Sequence, residues 1–115
     1  MIVGIGVDVC DLERCGRAVE RPRVRDRLFA PAEQSGAVQT LAGRFAAKEA
    51  LAKALGAPEG LVWTDAIVTK DAGGRPGFAL SGTVRARADA LGVTTIHLSI
   101  THDAGVAVAM VVCEG

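Results

Sequence analysis

Residues 106–113 constrain the fold of this chain more than any other segment, because they are apolar on both sides. The run is Val-Ala-Val-Ala-Met-Val-Val-Cys, and its β-branched content predicts a strand. A strand without a polar face is either central in its domain or buried against another copy of the chain. Residues 94–101 alternate apolar and polar side chains, and the short turn at 102–105 predicts that the two strands pair antiparallel.

The composition favours one modest domain. The 115 residues fit a single domain, 1–115, and include three Phe, one Trp and no Tyr. The core must therefore consist mainly of Val, Ile, Leu and Ala, and self-association would bury further apolar surface. The apolar fraction of 50% argues against intrinsic disorder, and no window approaches the ~20 apolar residues of a membrane span.

Helices and strands alternate without a regular βαβ rhythm, which predicts an α+β fold. Strands are expected at 2–9, 66–70, 75–80, 94–101 and 106–113. Helices are expected at 12–19, 23–29, 41–55 and 83–91, with a further helix start at Pro31. Asp11 and Ser81 are the expected N-caps of the first and last of these helices. The expected architecture is a small, mostly antiparallel sheet packed against the long helix.

The N-terminus and the cysteines favour a reducing compartment. No basic segment precedes the first apolar run, and Asp8 comes too early for a secretory signal. We therefore expect a cytoplasmic protein with reduced thiols. Cys10, Cys15 and Cys113 are too few and odd in number for a disulfide scaffold, and zinc would need a fourth ligand. Their expected role is that of small buried apolar side chains.

Asp8 stands on a strand face that otherwise carries only glycine, at Gly4 and Gly6. The absence of side chains there allows a helix, another backbone or a ligand to approach closely. A carboxylate at the edge of such a face is suited to binding a cation. The alternative is that Asp8 simply ends the strand and caps the following turn.

The helix at 41–55 carries two charged pairs at a spacing of four, Arg44 with Lys48 and Glu49 with Lys53. Each pair shares one side of the helix, and the intervening alanines allow close packing. The alternative is an ordinary solvated helix face with one favourable pair between Glu49 and Lys53.

Hydroxyl groups and a histidine lie at the end of the strand at 94–101, but they do not define a hydrolase. Ser99 lacks the G-x-S-x-G turn of a nucleophile, and His102 is adjacent to Asp103 in sequence. The segment favours a phosphate contact by Thr101 or His102, or a plain turn.

Positive charge is concentrated near the N-terminus. The segment 14–27 contains six arginines and only two acidic residues, Glu20 and Asp26. Its net charge is +4, in a chain whose net charge is zero. Arg14, Arg17 and Arg21 are at helical spacing and predict one basic stripe that attracts an acidic partner. No aromatic residue is interleaved for base stacking, which disfavours nucleic acid. A solvated arginine-rich face is the alternative.

Three of these segments together resemble holo-(acyl-carrier-protein) synthase, the family of small bacterial phosphopantetheinyl transferases. They are Gly-Ile-Gly-Val-Asp at 4–8, Arg-Phe-Ala-Ala-Lys-Glu-Ala-Leu-Ala-Lys at 44–53 and Leu-Ser-Ile-Thr-His-Asp at 98–103, with Gly-Arg-Pro at 74–76 between them. The resemblance implies transfer of 4'-phosphopantetheine from coenzyme A to a serine of apo acyl carrier protein, for fatty acid biosynthesis. It also implies release of adenosine 3',5'-bisphosphate, a requirement for Mg²⁺, and a homotrimer with the coenzyme A site between neighbouring subunits. It implies neither a nucleic acid nor a membrane as partner.

The resemblance assigns roles to individual residues. Asp8 and Glu49 would hold Mg²⁺, and Lys53 would reach the diphosphate of coenzyme A. Deprotonation of the acceptor serine falls either to Glu49 or to a metal-bound water. Arg44 and His102 would contact the 3'-phosphate. The remaining nucleotide positions are Gly56, Gly74, Pro76 and Thr101. Arg14 and Arg21 would dock the acidic carrier protein.

Two alternatives stay open at this point. The basic stripe is also compatible with a non-catalytic module that recruits an acidic protein or nucleic acid. A broad-range transferase that modifies polyketide or peptide carrier domains is the second alternative, although such relatives often carry two fused copies of this unit and this chain has one.

Overall fold

The apolar strand at the end of the chain lies in the centre of the main sheet. In a computed structural model that describes all residues 1–115, strand β5 (Val106–Glu114) is flanked by β1 (Ile2–Asp11) and β4 (Thr95–Asp103). Both neighbours pair with it antiparallel, Asp8 opposite Ala109 and His102 opposite Ala107. Of the two alternatives for the last strand, the central position is the one observed, and the expected antiparallel pairing with β4 is confirmed.

One long helix, α3 (Val38–Ala54), covers a face of this sheet. Its backbone lies directly over the glycines of β1, and a Cβ atom at Gly6 would overlap the carbonyl oxygen of Ala50. A Cβ atom at Gly4 would overlap the carbonyl oxygen of Ala54 in the same way. Small side chains on both elements thus permit a strand-to-helix approach that larger ones would prevent.

The other elements surround α3 and complete an α+β fold, as expected. Two short helices, α1 (Leu12–Val19) and α2 (Pro22–Leu28), follow β1, and a 3₁₀ turn at Pro31–Glu33 leads into α3. A second antiparallel pair is formed by β2 (Ala66–Lys70) and β3 (Pro76–Leu80). Helix α4 (Gly82–Ala90) then returns the chain to β4.

Several element ends differ from the sequence-based expectations. Helix α3 begins at Val38 rather than at 41, and the helix start expected at Pro31 is a single 3₁₀ turn. Strand β4 continues to Asp103, so only Ala104 and Gly105 form the turn. Long strands in register extend the ladder beyond the point where the hydrophobic alternation ends.

The two predicted helix caps had different outcomes. Asp11 caps α1 as expected, because its Oδ1 accepts hydrogen bonds from the backbone N–H groups of Glu13 and Arg14. Ser81 occupies the N-cap position of α4 but makes no capping bond with its side chain. Asp65 replaces it, since its Oδ2 accepts from the backbone N–H and the hydroxyl of Thr83, both at 2.7 Å.

The three arginines predicted to form one basic stripe do not lie on a single helix. Helix α1 ends at Val19, and Arg21 is the residue that precedes α2 at Pro22. Arg14 and Arg17 lie on α1, whereas Arg21 lies in the connection between α1 and α2, at the N-cap position of α2. The proline forces a new helix start, because it has no N–H to continue the previous ladder.

The sheet face opposite α3 is apolar and open to solvent in the single chain. Ile5, Val7 and Val9 are each 56–58% exposed, and Met110 on the neighbouring strand is 47% exposed. The other face of β5 is fully buried beneath α3.

All three cysteines are free and buried, as expected. None of the helices combines the length and the apolar content required to cross a bilayer.

The contact between β1 and α3 predicts a strong asymmetry between two strand glycines. Gly6→Ala is expected to destabilise the fold by at least ~2 kcal/mol, because the helix backbone must move away from the sheet. Gly77→Ala in β3 is the matched control, since its Cβ atom would meet only Thr69 Oγ1 at 3.5 Å. Urea unfolding of both variants measures the difference, and equal stability of the two would contradict the close approach.

Candidate active site

Asp8 and Glu49 line one cleft, although they are far apart in sequence. Asp8 lies on β1 two residues beyond Gly6 and therefore on the same side of the sheet, facing α3. Glu49 lies on α3 beside Ala50, the residue whose carbonyl contacts Gly6. The cleft has a volume of about 430 Å³, and Arg14 of α1 also lines it. The predicted pair of carboxylates is thus brought together.

Lys53 is the third charged group at this place. Its Nζ lies 3.1 Å from Asp8 Oδ1 and donates to the carbonyl of Val7 at 3.0 Å. The ordinary helix pair of Lys53 with Glu49 does not form. Lys53 therefore joins the site by contacting β1, and not by pairing with Glu49 on its own helix. The alternative of a solvated helix face with a Glu49–Lys53 pair does not describe its contacts.

The charges in the cleft act on Glu49 in opposite directions. Burial raises the pKa of Glu49, and the nearby negative charge of Asp8 raises this pKa further. The positive charge of Lys53 acts against both and lowers the pKa. Arg14, which lines the cleft, and Lys53 offset the two carboxylates in number, but neither forms an ion pair with Glu49.

The donor set in this cleft is suited to magnesium. Mg²⁺ takes hard oxygen ligands, usually one or two carboxylates, and fills its other positions with water and substrate phosphate oxygens. Asp8 and Glu49 provide the carboxylates, and the cleft between β1 and α3 is open enough for the other ligands. No group of three or more His, Cys, Asp or Glu side chains that could hold a metal occurs in the chain.

A second cleft, of about 480 Å³, collects most of the residues assigned to the nucleotide. Arg44 from α3 and His102 from β4 line it together with Gly74 and Pro76 of the β2–β3 hairpin. Lys70 also lines this cleft, although no motif in the sequence pointed to it. Two cations, Arg44 and Lys70, and one histidine, His102, around one opening are appropriate for phosphate oxygens.

The structure does not bring every predicted residue to these two clefts. Thr101 lies on the outer sheet face, opposite Val108, because side chains alternate along β4 and His102 faces α3. Gly56 follows the end of α3 with a positive φ of 86° and lies beside Arg87. Arg21 is exposed at the start of α2 and does not line the carboxylate cleft, although Val19 and Val24 on either side of it do. Within one chain, neither Thr101 nor Gly56 joins the nucleotide cleft.

A buried ion pair near the second cleft was missed by sequence reasoning. Lys48 Nζ lies 2.7 Å from Glu33 Oε1, and both side chains are 1% exposed. The alternative of a solvated face through Arg44 and Lys48 is therefore wrong for Lys48. The only sequence signal was its helical register with three core leucines, Leu41, Leu51 and Leu55. Nothing in the pattern pointed to Glu33, which is 15 residues away.

Comparisons with known proteins agree with the geometry. The sequence profile described as the 4'-phosphopantetheinyl transferase superfamily matches residues 4–111. The holo-(acyl-carrier-protein) synthase of Beutenbergia cavernae is 56% identical over 115 residues, which cover 99% of each chain. This chain therefore belongs to the 4'-phosphopantetheinyl transferase superfamily. Within it, the resemblance to holo-(acyl-carrier-protein) synthases is confirmed.

Solved structures show the same fold in such enzymes. The holo-(acyl-carrier-protein) synthase of Neisseria meningitidis superposes with a TM-score of 0.90 at 34% identity and full coverage of both chains. The Helicobacter pylori enzyme in complex with coenzyme A superposes with a TM-score of 0.83 at 32% identity, covering 96% of this chain and 99% of its own. These matches disfavour the alternative of a non-catalytic binding module.

Proposed function

We propose that this chain transfers 4'-phosphopantetheine from coenzyme A to a serine of apo acyl carrier protein, in the cytoplasm and for fatty acid biosynthesis. The observation that carries the proposal is the cleft where Asp8 and Glu49 meet beside Lys53, in a chain similar over its whole length to holo-(acyl-carrier-protein) synthases. Full-length coverage by single-unit relatives does not favour the broad-range alternative for polyketide or peptide carriers.

The reaction forms one bond to phosphorus and breaks another. The serine oxygen of the carrier bonds to the phosphorus that bears pantetheine, and the bond from this phosphorus to the bridging oxygen of the diphosphate breaks. Adenosine 3',5'-bisphosphate leaves with that oxygen, and the serine loses its proton. Negative charge moves onto the leaving phosphate, so the site must offer positive charge there.

The residues of the carboxylate cleft fit this requirement. Asp8 and Glu49 would hold Mg²⁺, which supplies positive charge to the diphosphate oxygens when bound. Lys53 orients Asp8 through its ion pair of 3.1 Å, and its half-exposed ammonium adds a second positive charge at the same place. Arg44 and His102 of the nucleotide cleft bind the 3'-phosphate, while Gly74 and Pro76 shape the wall beside it. Gly56 and Thr101 are assigned to the nucleotide by the resemblance.

Glu49→Gln tests the role of the carboxylate cleft. The purified chain, given coenzyme A, Mg²⁺ and apo acyl carrier protein, is expected to add one phosphopantetheine to the carrier in intact-protein mass spectrometry. Glu49→Gln is expected to lower turnover at least ~100-fold, because the site loses one of its two anionic ligands. Glu59→Gln, on the exposed loop after α3, is the matched control and should keep the wild-type rate. An unchanged rate for Glu49→Gln at saturating Mg²⁺ would remove the metal role, and no transfer by the wild type would remove the function.

A homotrimer with shared sites is supported by two features of the single chain. The apolar outer face of the sheet, with Val7 and Met110 near its middle, is left to solvent by the monomer. The carboxylate cleft and the nucleotide cleft have no lining residue in common. One coenzyme A would then contact the carboxylates of one subunit and the nucleotide residues of its neighbour. Thr101, on the outer sheet face, would reach the nucleotide only in the assembled trimer.

Subunit complementation tests the shared site. Glu49→Gln and Arg44→Ala are each expected to be nearly inactive alone, since each removes one half of every site. Coexpressed, they are expected to recover a measurable fraction of activity, because some interfaces then combine an intact Glu49 with an intact Arg44. Native mass spectrometry should show three subunits, and Val7→Asp with Met110→Asp should yield monomers. Failure of mixed trimers to recover any activity would show that each chain supplies a whole site.

Docking of the carrier protein is assigned to Arg14 and Arg21. Arg14 is exposed and lines the same cleft as Asp8 and Glu49, so a carrier held there would present its serine to the reacting phosphorus. Arg21 is exposed one helix further along and extends the positive surface. An acidic carrier would be steered toward this surface by long-range attraction.

Charge reversal tests the docking surface. Arg14→Glu or Arg21→Glu is expected to raise KM for the carrier about tenfold or more, because attraction at the surface becomes repulsion, with little change in KM for coenzyme A. Arg85→Glu on α4, also exposed, is the control for a general loss of positive charge. Steady-state kinetics with each substrate varied in turn measures the difference. Equal loss for both substrates would place these residues outside the docking surface.

A further inference from the structure

The direction of the Arg44 side chain is set by backbone carbonyl groups rather than by an acidic partner. Its Nη1 donates hydrogen bonds to the carbonyl of Glu33 and, at 2.7 Å, to the carbonyl of Ser35. Both carbonyls belong to the short segment that follows α2 and includes the 3₁₀ turn. The other guanidinium nitrogens make no hydrogen bond within the chain and are free for a ligand. The orientation of Arg44 in the nucleotide cleft thus depends on where this segment is held.

The carboxylate of Glu33 holds that segment in place. Glu33 is 1% exposed, and its Oε1 accepts from the backbone N–H of Ala30 at 2.9 Å and from Lys48 Nζ at 2.7 Å. Its Oε2 accepts from the backbone N–H of Val68 at 2.8 Å. One side chain therefore connects the 3₁₀ turn, helix α3 and strand β2. All three elements contribute residues to the wall of the nucleotide cleft.

Lys48 supplies the countercharge and uses its full donor capacity. Besides Glu33, its Nζ donates to the carbonyls of Leu28 at 2.7 Å and Trp63 at 3.1 Å. Burial lowers the pKa of Lys48, and the adjacent Glu33 carboxylate acts in the opposite direction. A buried pair of this kind is often no more stabilising than apolar residues of the same volume. Its value lies in the fixed geometry that its hydrogen bonds impose.

We infer that Glu33, neutralised by Lys48, is a positioning residue that aims the Arg44 guanidinium at the 3'-phosphate of coenzyme A. The inference rests on the proposed function, because it needs a nucleotide with a 3'-phosphate in the second cleft. Glu33 itself is buried and does not touch the ligand. Its effect passes through the carbonyl groups that Arg44 contacts, so it acts on one phosphate group rather than on the whole substrate.

Calorimetric titration with two ligands tests this inference. Coenzyme A and its analogue without the 3'-phosphate differ only in the group that Arg44 and His102 would hold. The wild type is expected to prefer coenzyme A, and Arg44→Ala is expected to lose about tenfold of that preference, the effect of one charge-assisted hydrogen bond. Glu33→Gln is expected to lose a similar part of the preference while binding the analogue as the wild type does. The double variant should lose no more than Arg44→Ala alone, because both changes remove the same contact.

Two further variants separate positioning from stability. Glu33→Gln leaves a buried lysine without its countercharge, so Glu33→Met combined with Lys48→Met removes both charges and keeps an apolar, foldable interior. This double variant should also lose the preference for the 3'-phosphate. Leu51→Ala, in the core on the same helix, is the control: it should lower the melting temperature and keep the preference.

The outcomes distinguish the inference from the function it rests on. Loss of the preference in the Glu33 variants, with retention in Leu51→Ala, supports the positioning role. Wild-type preference in Glu33→Met with Lys48→Met, or in Arg44→Ala, would overturn it. Failure of the wild type to transfer phosphopantetheine would instead remove the proposed function, whereas the binding preference is measured without turnover and decides the role of Glu33 by itself.

Discussion

The geometry of the site depends on the close approach between the glycines of β1 and the backbone of α3. With no Cβ atoms at Gly4 and Gly6, the helix lies directly on the strand at Ala50 and Ala54. The residues that flank this contact are Asp8 on the strand and Glu49 and Lys53 on the helix. Larger side chains at the glycines would move α3 outward and separate the two carboxylates. A packing constraint and a chemical requirement are therefore satisfied by the same residues.

The surroundings of β5 explain why its residues 106–113 are apolar on both faces. Its inner face is sealed by α3, and its outer face is continuous with the apolar residues Ile5, Val7 and Val9 of β1. On β4, by contrast, the outer positions are polar, with Ser99 opposite Met110 and Thr101 opposite Val108. The outer face thus grades from apolar to polar across the sheet. A neighbouring copy that covered the apolar part would place its own surface next to Thr101.

The sequence predicted those parts of the molecule whose determinants are local or periodic. Alternation along β1 placed Asp8 on the glycine face, and helical spacing placed Glu49 and Lys53 one turn apart. It failed where the partner is remote: Asp65 caps α4 in place of Ser81, and Lys48 pairs with Glu33 instead of facing water. Such choices depend on the three-dimensional packing of segments far apart in the chain. The helical spacing of the arginines does not extend to Arg21 for a local reason, since α1 ends at Val19 and Pro22 begins a new helix.

Helix α3 presents different chemistry along its two edges. Glu49 and Lys53 lie on the edge next to β1, whereas Arg44 and Lys48 lie toward the 3₁₀ turn and the β2–β3 hairpin. The proposed metal site and the proposed phosphate site are consequently both carried by α3, in two clefts that share no lining residue within one chain. If neighbouring copies meet at the outer sheet face, each ligand would contact opposite edges of two α3 helices. The catalytic geometry would then be set by the rigidity of α3 and by the registry of the subunits, and less by any mobile loop.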